Sequence, residues 1–162
     1  MDVFCFSKKW GLQYAADRGM IEPVMKLKIL AIDFGDSRTG FAVSDELLFG
    51  ARTLQPCREK SMQKVADYAA ALAQELGVTQ IVLGFPRNMN GTVGARGKKT
   101  QQFCALLKER AGCPVLLWDE RLTTVSAHHL MNSTNVRGQK RKDKVDSVSA
   151  AFILQSYLDS LR

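Results

Sequence analysis

Three apolar runs, at residues 28–33, 38–44 and 49–54, follow one another with only short turns between them. A parallel crossover takes about a dozen residues or more, so runs this close together join as antiparallel neighbours, and the pattern predicts a meander. Gly35-Asp36-Ser37 makes the first turn and Pro56 ends the third run. The periodicity then changes. Met62, Val65, Ala66, Ala69, Leu72, Ala73 and Leu76 recur at helical spacing up to Gly77, and residues 80–83 form a short apolar strand closed by Gly84-Phe85-Pro86. Residues 87–97 read as a loop rich in Gly and Asn. Phe103, Leu106 and Leu107 mark a second helix ended by Gly112, and residues 115–118 another strand. A helix over 124–131, a polar basic loop over 132–142 and a long helix over 143–161 with Asp143 as N-cap complete the chain. Hairpin strands followed by alternating helix and strand imply an α/β fold, a mixed five-stranded sheet flanked by helices.

With 162 residues, 46% of them hydrophobic, the chain has enough apolar side chains for one domain with a real core, expected over residues 27–162. Residues 1–26 read as an N-terminal extension. Lys8, Lys9, Asp17 and Arg18 interrupt its apolar groups, Asp2, Asp17 and Glu22 argue against a transit peptide, and Met20 and Met25 offer alternative starts. No apolar stretch approaches the ~18 residues of a membrane span, so a soluble protein with no membrane partner is expected. Cys5, Cys57, Cys104 and Cys113 are scattered without metal-ligand spacing, which suits free thiols in a reducing cytoplasm. Lys and Arg outnumber Asp and Glu by 23 to 16, a net charge of +7 that favours a polyanionic partner such as nucleic acid.

Carboxylates stand at informative places. Asp33 ends the first apolar run, and Gly35 lets the chain turn away behind it. Asp119 and Glu120 follow the apolar run Val115-Leu116-Leu117-Trp118, and Asp146 lies near the start of the last helix with Asp143 three residues earlier. Strand-end acids and a helix acid can converge on one or two Mg²⁺ ions. Neighbouring strand residues point to opposite faces, so only one of Asp119 and Glu120 can share the side of Asp33. Glu120 has the longer reach and is the preferred ligand, leaving Asp119 to hold Arg121 or cap the turn. Cations cluster nearby: Arg137, Lys140, Arg141 and Lys142 precede Asp146, Arg96, Lys98 and Lys99 form a second group, and Arg87 and Arg121 stand beside the glycine loop and the acids. These are the expected phosphate contacts, although any of them could be a solvated surface charge.

The order of elements, with one acid ending the first strand and another on the last helix, resembles the ribonuclease H fold. The motifs narrow the resemblance. Leu30-Ala31-Ile32-Asp33-Phe34-Gly35, Arg38-Thr39-Gly40, Ala42-Val43-Ser44, Gly84-Phe85-Pro86-Arg87-Asn88-Met89-Asn90-Gly91-Thr92, Asp119-Glu120-Arg121-Leu122-Thr123-Thr124 and Lys144-Val145-Asp146-Ser147 resemble the YqgF family, also called RuvX, over residues 28–159. The resemblance implies a bacterial cytoplasmic nuclease dependent on Mg²⁺ or Mn²⁺. Its substrate would be a ribosomal RNA precursor, matured at the 5′ end of 16S RNA, or branched DNA in the form of a Holliday junction. It anchors Asp33 and Asp146 as catalytic metal ligands together with Glu120, while Asp143 keeps its N-cap alternative. Asn90 replaces a frequent Asp and is not a ligand, and Arg87 replaces a frequent apolar residue. Carboxylates holding two ions would activate a water and neutralise the departing 3′ oxygen, leaving a 5′ phosphate. A homodimer would suit a junction with two arms to cut.

Other features carry less. Gly97-Lys98-Lys99-Thr100 lacks the Gly and the Ser or Thr that a phosphate-binding P-loop needs at Thr92 and Lys99. His128 and His129 face different directions on a helix, and Tyr68, Phe103 and Tyr157 read as core. Two other functions remain open: a phosphotransferase like the actin-type ATPases, for which the chain is one domain short, and a nucleic-acid or ribosome-assembly binding protein that uses its acids structurally.

Overall fold

In the computed structural model, which describes residues 27–120 and 139–162 (139–147 by backbone alone), the apolar run Ile29–Phe34 becomes β1, the middle strand of the sheet. Its residues are apolar at every position before Asp33 because the strand is covered on both faces. Leu30, Ile32 and Phe34 enter one core, while Ile29 and Ala31 enter another on the opposite side. β2 (Thr39–Ser44) pairs antiparallel with β1, and β3 (Ala51–Thr53) pairs antiparallel with β2 at the sheet edge. β4 (Gln80–Phe85) and β5 (Val115–Asp119) add in parallel on the other side of β1, giving the order β3-β2-β1-β4-β5. Parallel pairing brings the C-terminal ends of β1, β4 and β5 to one end of the sheet.

The helices divide between the two faces. α1 (Met62–Glu75), capped by the Ser61 hydroxyl accepting from Lys64 N, buries Val65, Ala66, Ala69 and Ala73 in the first core. α2 (Ala95–Arg110) adds Phe103, Cys104 and Leu107 there, and Phe103 stacks on Phe34 with ring centroids 4.2 Å apart. This stack ties α2 to the end of β1. The third described helix, α3 (Gln139–Ser160), covers the second face through Ala150, Ile153, Leu154, Tyr157 and Leu158, an i, i+3, i+4, i+7, i+8 stripe. Tyr157 meets Trp118 edge-on and its hydroxyl accepts from Gln80 Nε2 at 2.7 Å, while Trp118 Nε1 donates to Ser156 Oγ at 3.3 Å. Among the described residues no helix is long and apolar enough to cross a membrane.

Several boundaries differ from the sequence expectation. α2 starts at Ala95, so Arg96 and Gly97 belong to the helix and not to the preceding loop. Gly97 is tolerated inside the helix because a Cβ there would stand 2.7 Å from Val93 Cγ1 and 2.9 Å from the Pro86 carbonyl oxygen. α3 starts at Gln139, so Asp143 lies one turn inside and is not the N-cap, and Lys140, Arg141 and Lys142 are helical. Gln, Lys and Arg are good helix formers, and the segment from Gln139 to Asp143 has no Gly or Pro to stop it. β3 is shorter than expected because the Asp45 carboxylate accepts from the backbone N–H groups of Leu47, Phe49 and Gly50, holding that stretch as a turn. Tyr68 is 42% exposed and only edges Phe41, whereas Phe103 and Tyr157 are core as expected. Cys57, Cys104 and Cys113 are free thiols, and burial pushes all of them above the ordinary thiol pKa. The expected helix over 124–131, with His128 and His129, lies outside the described residues, as do Cys5 and residues 1–26.

Candidate active site

The pleat of the sheet decides which acids meet. Residues of β1 alternate between cores, and Asp33 has the parity of Ile29 and Ala31, which places it on the α3 face. In β5, Trp118 packs in the α3 core while Val115 and Leu117 pack on the opposite side. Asp119, the last residue of β5, has the parity of Leu117, and Glu120, one residue past the strand, brings its Oε1 beside Gly84 and Ile153 on the α3 face. Glu120 therefore comes to the side of Asp33, whose negative charge it feels directly. Asp119 pairs with Arg87, Nη1 to Oδ2 at 3.8 Å, and the expected contact with Arg121 lies outside the described residues.

Gly84 makes room for this arrangement. It sits in β4 on the α3 face, and a Cβ there would lie 2.5 Å from Ile153 Cδ1 and 2.7 Å from Glu120 Oε1. Only a residue without a side chain lets the Glu120 carboxylate and α3 approach the strand end together. The strand Gln80–Phe85 reads as apolar punctuation in sequence, and nothing local marks its glycine as a seat for an acid 36 residues away. Gly84→Ala is expected to cost about 1–3 kcal/mol through overpacking and to displace Glu120, so turnover should fall further than stability explains. Thermal unfolding and turnover measured on the same preparation check this.

The electrostatics match the geometry. Burial pushes the Glu120 carboxyl up to about 7, with Asp33 and Asp119 adding to the rise and Arg96 opposing it. Arg96 Nη2 stands 3.6 Å from Asp33 Oδ1. Lys99 Nζ donates to Asp36 Oδ1 at 2.6 Å and holds that carboxyl below its ordinary pKa. The guanidinium of Arg87 also lies over the Phe85 ring, 5.9 Å from its centroid. The first turns of α2 thus bring Arg96 and Lys99 to the end of the sheet that carries Asp33, with Lys98 between them in sequence.

The acids expected to complete the set, Asp146 and Asp143, lie on α3. Tyr157 meets Gln80 at the start of β4 and Ile153 meets Gly84 near its end, so the earlier turns of the helix lead toward the acids. Asp146 precedes Ala150 by four residues along α3 and Asp143 precedes it by seven. The side chains of Asp143, Asp146, Lys140, Arg141 and Lys142 lie outside the described residues, and so do Arg121 and Arg137 entirely. Among the described residues no group of three His, Cys, Asp or Glu side chains is assembled, which leaves Asp33 and Glu120 as the described part of the candidate set.

Comparison with known proteins gives a consistent result. The chain is 44% identical over 135 residues to a Clostridium novyi protein named "Putative pre-16S rRNA nuclease", covering 83% of this chain and 100% of that one. It is 46% identical over 138 residues to a protein of the same name from Agathobacter rectalis, covering 83% and 96%. Among solved structures, Thermus thermophilus RuvC matches with a TM-score of 0.55 at 11% identity, over 83% of this chain and 96% of that chain. The same resolvase in complex with a Holliday junction substrate matches with a TM-score of 0.53 at 13% identity and the same coverage. At such identities the likeness establishes the ribonuclease H-like fold. The family match spans residues 27–160, and the chain belongs to the RuvX family, described as Holliday junction resolvase.

Proposed function

We propose that the protein is a divalent-metal-dependent endonuclease that trims the precursor of 16S ribosomal RNA, with Asp33, Glu120 and Asp146 as its metal ligands. The observation that carries this is the meeting of Asp33 and Glu120 on one face at the end of the sheet. Burial, and after it the neighbouring charge of Asp33, disfavours the ionised form of Glu120 and raises its pKa. A divalent cation restores the ionised form, and an all-oxygen set suits Mg²⁺ or Mn²⁺. The residues therefore fit the ion. Relatives that bear the precursor RNA name at 44% and 46% identity support that substrate over branched DNA.

Each residue has a separate task. Asp33 offers its carboxylate from a rigid strand end, Glu120 reaches the same face from beyond β5, and Asp146 closes the set from α3. When bound, the metal supplies a water activated at neutral pH and positive charge opposite the phosphorus. Asp119 keeps Arg87 folded against the strand ends and takes no part in that set. Arg87, Arg96 and Lys99 flank the acids and orient phosphates, and Lys98 and Arg121, neighbours of these groups in sequence, would add to them. The products carry a 5′ phosphate and a 3′ hydroxyl, and the reaction takes place in the cytoplasm, where the RNA is.

The test is cutting of a precursor ribosomal RNA fragment, single-stranded RNA, duplex DNA and a four-way junction, with Mg²⁺, with Mn²⁺ and with chelator. Chelator-sensitive cutting of the precursor ahead of the junction is expected. Preference for the junction, together with a homodimer in solution, would move the substrate to branched DNA, and no cutting of any of them would leave a binding protein. The cations Arg137, Lys140, Arg141 and Lys142 lie just ahead of Asp146 in the chain, so the same nucleic acid should pass over them. Neutralising Arg137, Lys140 and Arg141 together is expected to weaken binding and to lower the salt dependence by about one unit of slope per lost contact, with a smaller effect on the maximal rate. An unchanged slope across a salt series would make them solvated charges only.

A further inference from the structure

We infer that Arg96 is the internal counter-ion of the acid site, held by Asp33 while no divalent ion is bound and released to a substrate phosphate when one arrives. This rests on the metal assignment above and adds a specific role for one side chain. Three described cations at this end of the sheet pair with acids: Arg87 with Asp119, Lys99 with Asp36 and Arg96 with Asp33. Of those acids, only Asp33 belongs to the proposed ligand set.

The placement allows release. The Arg96 side chain is 59% exposed and begins in the first turn of α2, whose backbone is fixed by the close packing of Gly97 and by the stack of Phe103 on Phe34. The long side chain can swing outward while the helix stays where it is. A divalent ion held by Asp33 would share that carboxylate with a guanidinium 3.6 Å from its Oδ1, and like charges so placed repel even through water. The ion and Arg96 therefore compete for Asp33. Once displaced, the planar fork of Arg96 is suited to two oxygens of a phosphate lying over the same acids.

Competition has a sign that a mere phosphate contact lacks. Arg96→Met keeps the aliphatic length and removes the charge, so it should bind Mn²⁺ at least about fivefold more tightly than wild type, with Arg96→Lys close to wild type. Without metal, Arg96→Met should unfold at a lower temperature than wild type, and saturating Mn²⁺ should raise its melting point by a larger increment. Calorimetric Mn²⁺ titration and thermal unfolding of wild type, Arg96→Met, Arg96→Lys and Asp33→Asn read both effects without any substrate. Equal or weaker Mn²⁺ binding in Arg96→Met, with binding lost in Asp33→Asn, would overturn the counter-ion role and leave the metal site standing. Wild-type Mn²⁺ binding in Asp33→Asn would overturn both.

Discussion

Asp33→Asn is expected to abolish cleavage while the protein stays folded. The two effects differ in size because they have different physical origins. In the fold, Asp33 gives up a pair with Arg96 whose side chain is 59% exposed, and such pairs contribute about 0–1 kcal/mol. In the reaction, it gives up the charge that holds the metal, and loss of an activated water and of charge neutralisation costs several orders of magnitude in rate. Asn keeps the shape of the strand end beside Gly35, where a Cβ would collide with the Arg38 carbonyl oxygen and where the tight turn starts. Turnover and thermal unfolding of the variant check the result, and near-normal turnover in a folded variant would refute the site.

Glu120→Gln is expected to be far more damaging to turnover than Asp119→Asn. The two residues are adjacent, yet the parity of β5 sends Glu120 to the α3 face and Asp119 to Arg87 on the other. Stability should move in the opposite sense. The Glu120 pKa is raised from 4.5 to about 7, so the metal-free protein binds more protons folded than unfolded in that interval. The stability this contributes is complete below pH 4.5 and is lost as pH rises through about 7. Glu120→Gln cannot ionise, so it should lack that decline and be more stable than wild type at pH 8 without metal. An inactive variant that is harder to unfold is what a functional, strained carboxylate predicts. Equal activity losses in the two variants, measured with unfolding curves from pH 4 to 8, would remove the distinction between them.

The sheet and the acid positions were legible because their signals are local. Apolar runs too close for a crossover, glycine and proline at the turns, and acids directly after the first and last strands need no long-range information. The choice between Asp119 and Glu120 could be narrowed to one face but not assigned from alternation alone. Which face carries α3 is set by Ala150, Ile153 and Tyr157 packing on Ala31, Val82 and Trp118, contacts far apart in the chain. The start of α2 was obscured by Gly97, read as loop by its intrinsic preference although its role is close approach to Val93 and Pro86. Asp143 misled in the opposite way, because a good N-cap residue can equally stand one turn inside a helix whose first residues are Lys, Arg and Gln. The pairing of Arg96 with Asp33, 63 residues apart, follows only once Phe34 and Phe103 have stacked.

Manganese binding to wild type, Asp33→Asn, Glu120→Gln and Asp119→Asn, followed by electron paramagnetic resonance at pH 8, tests the metal site most directly. Wild type and Asp119→Asn are expected to bind the ion alike, and Asp33→Asn and Glu120→Gln to bind it weakly or not at all, because Asp33 and Glu120 share the α3 face and Asp119 does not. Undiminished binding in both Asp33→Asn and Glu120→Gln would contradict a metal site built on these acids.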